Sequence, residues 1–495
     1  MEIPAFVGQI LTRLDAAGHE AYLVGGCVRD LLLGVVPKDW DITTKAKPEE
    51  ILAVFTEGKY ENIFGTVIVP VRDEEENLLA AIEVTTYRSE QGYSDRRRPD
   101  EITFETELDK DLERRDFTIN AMALKFKSQS KLITEKEVIN FGDDDVELVD
   151  LFGGRKDLGK RIIRAVGEPS ERFREDALRL MRAIRFSCQL GFSIEPKTER
   201  AIAKLAGAIK FIANERIRDE LIKILDSDRA HEGMQTLHDT KMLQYILPEL
   251  ERGVGETQNK HHTYTVFEHL MLSLKYCPSK DWRVRLAALL HDIGKPQTKK
   301  MVDGEATFYN HEYLGAKMTK KIMTRLRFAN EDLDKVTNLV RNHMFYYNAG
   351  EVTPAAVRRL IVKTGRENLK DLIAVRIGDR LGSGVAKAMP YKLRHLEYMI
   401  EKVSNDPVSV KMLNINGTDL MTDLRLEPGP KIGAILDVLL AEVIEEPSLN
   451  TREYLLERSQ ELNKLNVEEL RAKAKIEIEA KRDHDDHKLK HTHWV

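Results

Sequence analysis

The stretch that most constrains the fold of this chain is residues 23–44, LVGGCVRDLLLGVVPKDWDITT. An apolar run leads into paired glycines and then into an apolar helical pattern, which predicts a strand, a tight turn and a helix. Near the end of the stretch, Asp39 and Asp41 alternate with Trp40. If this segment is a strand, its period of two places both carboxylates on one face. Two carboxylates one pleat apart suit Mg²⁺, which prefers oxygen ligands and shares its shell with substrate phosphates.

The glycines and the arginine of the same stretch predict a phosphate-binding turn. Gly25 and Gly26 allow the backbone to approach a triphosphate closely, and Arg29 offers it a forked donor. Alone, a glycine pair would indicate only a turn. The string GGCVRDLLLG followed by DWDI resembles the nucleotidyltransferase signature of the DNA polymerase β superfamily, in the class II branch that holds bacterial CCA-adding enzymes and poly(A) polymerases. The resemblance implies an α+β fold, with a polymerase-β-like head on a mixed sheet followed by an all-helical remainder.

Composition and charge are typical of a soluble protein with several domains. The chain has 495 residues, of which 42% are hydrophobic and 32% charged. No run approaches the roughly 18 apolar residues of a membrane span, and the N-terminus lacks a basic leader followed by a cleavage site. Three widely separated cysteines predict a reducing, cytoplasmic location. The net charge of −5 disfavours general nucleic-acid binding, but residues 155–229 are locally basic, as expected of a phosphate-binding face or of a solvated helical surface.

Residues 111–124, DLERRDFTINAMAL, match the next motif of the family. The resemblance implies that Arg115 lies near the nucleotide and that Asp116 and Asn120 lie near its ribose. These side chains suit the roles, since Asp accepts from a hydroxyl, Asn donates or accepts, and Arg pairs with phosphate. A cap at Asp116 or Thr118 before a packed helix is compatible with the same residues.

Two neighbouring segments bear on the activity. Residues 78–88 predict a strand that carries Glu83, a candidate third carboxylate at the metal site, although a lone Glu is more often on the surface. Residues 88–104 have no apolar period and contain Arg96–Arg98, so they predict a mobile loop. In the CCA-adding enzymes that the chain resembles, a loop here is associated with the final switch to adenylate, so its presence favours complete CCA addition.

Residues 168–192 predict one amphipathic helix. On it Asp176 and Arg179 are i,i+3 neighbours, and Arg182 and Arg185 continue the row. An acceptor beside a forked donor can imitate the hydrogen-bonding edge of a base. The string EDALRLMRAIRF resembles the family's protein template, which implies that Asp176 and Arg179 pair with CTP or ATP and that the other two arginines contact nucleotide or phosphate. Ordinary salt bridges on a helix surface are the alternative.

The second half of the chain has a different pattern. His269, the pair His291-Asp292 in LAALLHDIGKP and the distant Asp379 lie on separate predicted helices, and these side chains suit a divalent metal. They resemble the HD phosphohydrolase domain, which accompanies the nucleotidyltransferase in part of the family.

Other histidines are weaker candidates for metal binding. His311 and His343 are candidates for a second metal site, although a lone histidine is more often a surface or core residue. Near the C-terminus, a solvated tail is favoured over adventitious metal binding for His484, His487, His491 and His493.

The motifs divide the chain into four predicted parts: a catalytic head at 1–152, a helical neck and body at 153–256, an HD domain at 257–390 and a helical C-terminal region at 391–495. The resemblance implies a template-independent nucleotidyltransferase that adds or repairs the CCA end of tRNA from CTP and ATP. Mg²⁺ would sit on Asp39 and Asp41, and a divalent metal of unknown identity in the HD site. Poly(A) polymerase, and an enzyme whose HD phosphohydrolase is the main activity, are the alternatives. The sequence leaves the oligomeric state open.

Overall fold

The computed structural model of the protein describes residues 1–61, 65–73, 75–91, 101–128, 132, 137–258, 263–345, 353–384, 396, 399–401, 403 and 409–474. The chain divides into two compact units, Met1–Pro248 and Glu249–Val495. Among the described residues, no helix is both long and apolar enough to cross a membrane. The four predicted domain boundaries stay predictions, and the histidines of the C-terminal tail lie outside the described residues.

The first unit contains a mixed sheet with helices, which confirms the predicted α+β class. Its strands are β1 (Glu2–Pro4), β2 (Ala21–Val24), β3 (Asp41–Thr44), β4 (Lys59–Tyr60), β5 (Thr66–Arg72), β6 (Leu78–Thr86), β7 (Arg88–Gln91), β8 (Glu101–Phe104), β9 (Ala123–Phe126), β10 (Val138–Asn140), β11 (Val146–Val149), β12 (Ile162–Ile163) and β13 (Ser193–Ile194). In the described part of the unit, seven of them form one sheet in the order β11-β9-β2-β3-β6-β5-β4. Only β3 and β6 pair in parallel there.

The helices of this unit lie before, between and after these strands. They are α1 (Ala5–Ala16), α2 (Gly26–Leu32), α3 (Pro48–Val54), α4 (Leu108–Glu113), α5 (Gly154–Lys160), α6 (Pro169–Glu175), α7 (Leu178–Leu190), α8 (Pro196–Leu205), α9 (Asn214–Leu225), α10 (Ala230–Asp239) and α11 (Leu243–Ile246), and a short helix α12 (Pro248–Glu251) follows. The predicted strand, turn and helix at residues 23–44 are therefore present as β2, Gly25 and α2.

The segment predicted as a mobile loop at residues 88–104 begins and ends as strands. β7 and β8 pair antiparallel, with Arg88 opposite Phe104 and Ser89 opposite Thr103. The prediction of a loop over the whole segment is therefore wrong at both ends. The two strands are held by backbone hydrogen bonds, which the spacing of apolar residues in the sequence does not reveal. Arg96–Arg98 lie outside the described residues.

The neck segment is two helices instead of the single helix predicted for residues 168–192. The break falls at Asp176, whose φ of −134° and ψ of 107° are those of an extended residue. Its carboxylate accepts from the backbone N–H of Leu178, at 2.9 Å, and so satisfies a free donor at the start of α7. The prediction failed because an Asp that can bond the next turn competes with continuation of the helix.

The second unit, as far as it is described, is almost entirely helical. Its elements are α13 (Val266–Tyr276), α14 (Trp282–Leu290), α15 (Lys295–Thr298), β14 (Lys300–Val302), β15 (Glu305–Thr307), α16 (His311–Arg325), α17 (Asn330–Asn342), α18 (Pro354–Thr364), α19 (Leu369–Gly382), α20 (Gly417–Asp423), α21 (Pro430–Glu445) and α22 (Arg452–Leu462). Helices α13 and α19 pack closely because α19 presents glycines to α13: a Cβ on Gly378 would lie 2.5 Å from the Ser273 carbonyl oxygen. The last three helices share a separate core that includes Leu420, Leu439 and Leu455.

Candidate active site and metal centre

Three carboxylates meet near the start of β3. This strand lies between β2 and β6, and Asp41, its first residue, is in register with Glu83 of β6. Burial and the charge of Asp39 raise the pKa of Asp41, while Arg115 opposes the shift. Burial and the charges of Asp41 and Asp39 raise the pKa of Glu83. Carboxylates close enough for the charge of one to act on the next favour a bound cation.

Asp39 lies outside the strand, although the period of two had predicted that it belongs to it. Asp39 and Trp40 precede β3, with Asp39 exposed and Trp40 buried. The strand starts later because its pairing with β6 begins only at Asp41, and its pairing with β2 only at Ile42. The carboxylate of Asp39 is nevertheless close enough for its charge to act on Asp41 and Glu83.

The turn between β2 and α2 lies directly beside these carboxylates. Gly25 has a φ of 80° and a ψ of −131°, which side chains disfavour. A Cβ on Gly25 would lie 2.9 Å from Nη1 of Arg115 and 3.6 Å from Oδ2 of Asp41. The backbone angle therefore favours glycine here, and a side chain would also displace the guanidinium of Arg115. Gly26 begins α2, the helix that follows the turn.

A chain of polar contacts runs from α2 to the neck helix α7. Arg29 donates through Nη1 to Oδ1 of Asn120 at 2.8 Å, and Asn120 donates to Oδ1 of Asp116 at 3.3 Å. On the other side, Arg182 donates through Nε to Oδ2 of Asp116 at 2.7 Å. Burial alone would raise the pKa of Asp116, but Arg182 outweighs it and lowers the pKa to about 2. Residues of two distant motifs thus form one network.

Phe186 lies among the arginines of this network. Its ring centroid is 5.4 Å from the guanidinium of Arg29, 5.5 Å from that of Arg182 and 4.0 Å from that of Arg185. Arg185 also forms an ion pair with buried Glu220 of α9, at 2.8 Å. Sequence reasoning missed Phe186 and Glu220. The only available signal was that buried arginines need a counter-charge or an aromatic face.

The side chains of Asp176 and Arg179 have different partners. Asp176 accepts from Nη2 of Arg216 on α9 at 2.8 Å. Arg179 pairs with Glu175 and donates through Nη2 to the carbonyl oxygen of Arg114 at 3.0 Å. The prediction that both residues lie on one helix is therefore wrong, because the helix breaks at Asp176, although the backbone N–H of Arg179 still donates to the carbonyl oxygen of Asp176 at 3.0 Å. Both side chains remain on the segment that packs against the network around Asp116, whose pKa Arg179 also lowers.

The second unit holds a buried cluster of histidines and aspartates. Nε2 of His269 lies 3.1 Å from Nε2 of His291, 3.2 Å from Oδ2 of Asp292 and 3.4 Å from Oδ1 of Asp379. The ligand atoms of His269, His291 and Asp379 are near enough to one another to hold one metal ion. Close packing of α13 against α19 brings this His and Asp together although they are far apart in sequence.

His311 and His343 extend this cluster on the other side of Asp292. Their Nε2 atoms lie 3.0 Å and 3.5 Å from Oδ1 of Asp292. The second group able to hold a metal ion is His291, Asp292 and His343. Both His311 and His343 are buried, so the surface role that is usual for a lone histidine does not apply to them.

The histidine orientations suit metal binding. Nδ1 of His291, of His311 and of His343 each lies 2.7–2.8 Å from a backbone carbonyl oxygen. A hydrogen on Nδ1 leaves the Nε2 lone pair, which faces the carboxylates, free to coordinate. Burial lowers the pKa of His343 to about 4, which keeps it neutral. Burial alone would lower the pKa of His291, but the carboxylates of Asp292 and Asp379 outweigh burial and raise it to about 10. The two aspartates therefore favour a positive charge beside them.

The fold and the two sites define a nucleotidyltransferase enzyme that carries an HD domain. Three family models match the chain: the poly A polymerase head domain at residues 21–164, the probable RNA and SrmB-binding site of polymerase A at 191–253, and the HD domain at 260–383.

Similar proteins agree with this class. An A-adding tRNA nucleotidyltransferase of Deinococcus radiodurans is 34% identical over 85% of this chain and 90% of its own length. A CCA-adding enzyme of Limosilactobacillus fermentum is 32% identical over 92% of this chain and 96% of its own. The crystal structure of the Bacillus stearothermophilus CCA-adding enzyme in complex with CTP has a TM-score of 0.66 and 26% identity, covering 93% of this chain and 98% of that one. The chain belongs to the CCA-adding tRNA nucleotidyltransferase family.

Proposed function

We propose that this enzyme adds or repairs the 3′-terminal CCA of tRNA from CTP and ATP, with release of pyrophosphate. The observation that carries the proposal is the meeting of Asp41, Glu83 and Asp39 beside the Gly25 turn, with Arg115 at the same point. The family membership and the names of the relatives support it. The three buried cysteines form no disulfide, which is consistent with a cytoplasmic location.

Asp39, Asp41 and Glu83 would hold Mg²⁺ in the head. Their donor set consists of carboxylate oxygens only, which is what Mg²⁺ prefers. When bound, the ion activates the 3′-hydroxyl and neutralises charge on the transferred phosphoryl group. The Gly25 turn leaves room for the phosphates, and Arg115 supplies a positive charge next to it. In this proposal catalysis is mainly positioning and electrostatics, so loss of either Asp39 or Asp41 should abolish it.

Asp176 and Arg179 are proposed to read the base of the incoming nucleotide, and Asp116 and Asn120 to contact its ribose. Asp176 is at present bonded to Arg216 and Arg179 to Glu175. A base edge would therefore have to replace or share these partners. The tRNA is proposed to be held by phosphate contacts and by the shape of its acceptor stem.

A direct test is to incubate the protein with tRNA that ends just before CCA, offering CTP and ATP separately and together, and to sequence the product ends. We expect CTP alone to add two residues, and both nucleotides together to complete CCA. An enzyme like the A-adding relative from Deinococcus radiodurans would extend only tRNA that already ends in CC. Long ATP-only tails on unrelated RNA would instead indicate a poly(A) polymerase.

We propose a second, metal-dependent phosphohydrolase activity for the cluster of His269, His291, Asp292 and Asp379, with His311 and His343 available for a second ion. The converging Nε2 and carboxylate atoms support it. Release of phosphate or opening of a cyclic phosphate should survive the double substitution Asp39→Ala/Asp41→Ala and be lost in His291→Ala. An activity that shows the opposite pattern would overturn this assignment.

A further inference from the structure

Asp111 is the first residue of the motif DLERRDFTINAMAL, and the resemblance gives it no role. It lies on α4 and is 0% exposed. It accepts from Nε of Arg114 at 3.0 Å and from Nη2 of Arg115 at 3.0 Å. Burial alone would raise its pKa, but the charges of Arg114 and Arg115 outweigh burial and lower it. Asp111 is therefore an anion held inside the protein between two adjacent arginines.

The two arginines reach different parts of the site. Arg115 extends to the Gly25 turn, where its Nη1 would be 2.9 Å from a Cβ. It also counteracts the raised pKa of Asp41. The backbone carbonyl of Arg114 accepts from Nη2 of Arg179, the neck arginine, at 3.0 Å. Asp111 is thus linked to the carboxylate site through Arg115, and to the proposed base-reading Arg179 through Arg114.

The contacts of Arg115 explain why a separate positioning group is needed. Its Nε is buried and has no hydrogen-bond partner among the residues that the structure describes. The ion pair with Asp111 therefore fixes one end of the guanidinium while Nη1 points to the turn. A long flexible side chain without such an anchor would lose its orientation, and small displacements of positioning groups have large effects on catalysis.

We propose that Asp111 is a positioning residue that sets, through Arg115 and through the backbone of Arg114, the relative placement of the phosphate-binding turn and of Arg179. This inference rests on the proposed nucleotidyltransferase function. It predicts that Asp111 affects nucleotide affinity and nucleotide choice together, since both arginines are held by one carboxylate.

The test compares Asp111→Asn, which has the same shape without the charge, with Asp111→Glu, which keeps the charge. We expect Asp111→Asn to raise the dissociation constant for CTP and the KM for CTP and ATP by about 10-fold to 100-fold, and to increase incorporation of UTP. Asp111→Glu should recover part of the loss. Asp281→Asn is the matched control: in the second unit, Asp281 also lies between two cations, Arg283 and Lys335, and its loss should leave these constants unchanged.

CTP binding by calorimetry separates this inference from the proposed function. If wild-type protein binds CTP but adds nothing to tRNA, the function fails while the role of Asp111 in binding can still be measured. Wild-type affinity and wild-type nucleotide choice in Asp111→Asn would overturn the inference. So would a loss of thermal stability in Asp111→Asn with unchanged constants at a temperature where the variant is folded. If Asp111→Asn does not fold, Asp111→Glu decides: a shifted KM or altered nucleotide choice supports the role, and unchanged values refute it.

Discussion

Replacing Gly25 with alanine should remove most of the nucleotidyltransferase activity and leave a folded protein. Gly25 has a φ of 80° and a ψ of −131°, and such a conformation costs a non-glycine residue about 1–3 kcal/mol. The added methyl carbon would be 2.9 Å from Nη1 of Arg115, whereas comfortable contacts between heavy atoms are about 3.5–4.0 Å. The guanidinium must therefore move away by roughly 0.5 Å or more, and its Asp111 partner resists that movement.

Displacements of this size at a catalytic group reduce rates by up to about 100-fold. The assay is the initial rate of labelled CTP incorporation into tRNA that lacks CCA, with urea denaturation to measure the free energy of unfolding. Gly18→Ala is the matched control, because Gly18 has a φ of 83° and no described residue other than its chain neighbours comes within 4 Å of the place that a Cβ would take there. It should lose about 1–2 kcal/mol of stability from the backbone conformation and keep its incorporation rate.

A wild-type incorporation rate in Gly25→Ala would refute the reasoning, since the contact with Arg115 would then have no effect on the chemistry. An equal loss of activity in both variants would also refute it, because backbone strain and not the position of Arg115 would be the cause. A large loss in Gly25→Ala alone would support an essential close approach at the turn.

Three further outcomes are expected. Arg182→Ala should lower the free energy of unfolding in urea by about 3 kcal/mol, because Asp116 is then buried without its partner, and adding Asp116→Asn should recover part of the loss. The free energy of unfolding should fall as the pH decreases from about 4 towards 2, because the pKa of Asp116 is lowered from 3.8 to about 2 in the folded protein. The charged carboxylate stabilises the fold above that range, and its protonation removes the effect. The variant Asp116→Asn should therefore lose less stability over the same range. His343→Ala should reduce the divalent metal retained after dialysis, measured by mass spectrometry, without changing CTP incorporation; an unchanged metal content would remove His343 from the metal site.

Several parts of the candidate site were predictable because their residues are adjacent in sequence. The Gly25 turn follows directly from a buried strand and leads into a helix, so local pattern and backbone chemistry agree. The pair His291-Asp292 is similarly local. The link between Arg182 and Asp116 was not predictable from either motif alone, since it joins positions 66 residues apart.

The errors also have physical reasons. The apolar period across residues 168–192 favours one helix, but the carboxylate of Asp176 bonds the N–H of Leu178 and pairs with Arg216, 40 residues away. The strand near Asp39 starts two residues later than predicted because its limits depend on neighbouring strands. Asp111 begins a family motif, but the sequence gave no sign of its burial, since an acid followed closely by two arginines usually indicates an exposed ion pair.

The sequence by itself determined the family, the α+β class and the two sets of candidate metal ligands, because each depends on short strings whose spacing and chemistry are local. Only the tertiary structure decided which partner each charged side chain has. It turned Asp176 towards Arg216, placed His311 and His343 against Asp292, and buried Asp111 between Arg114 and Arg115. These pairings depend on desolvation and on contacts between distant segments, and burial makes each uncompensated charge costly enough to select one arrangement.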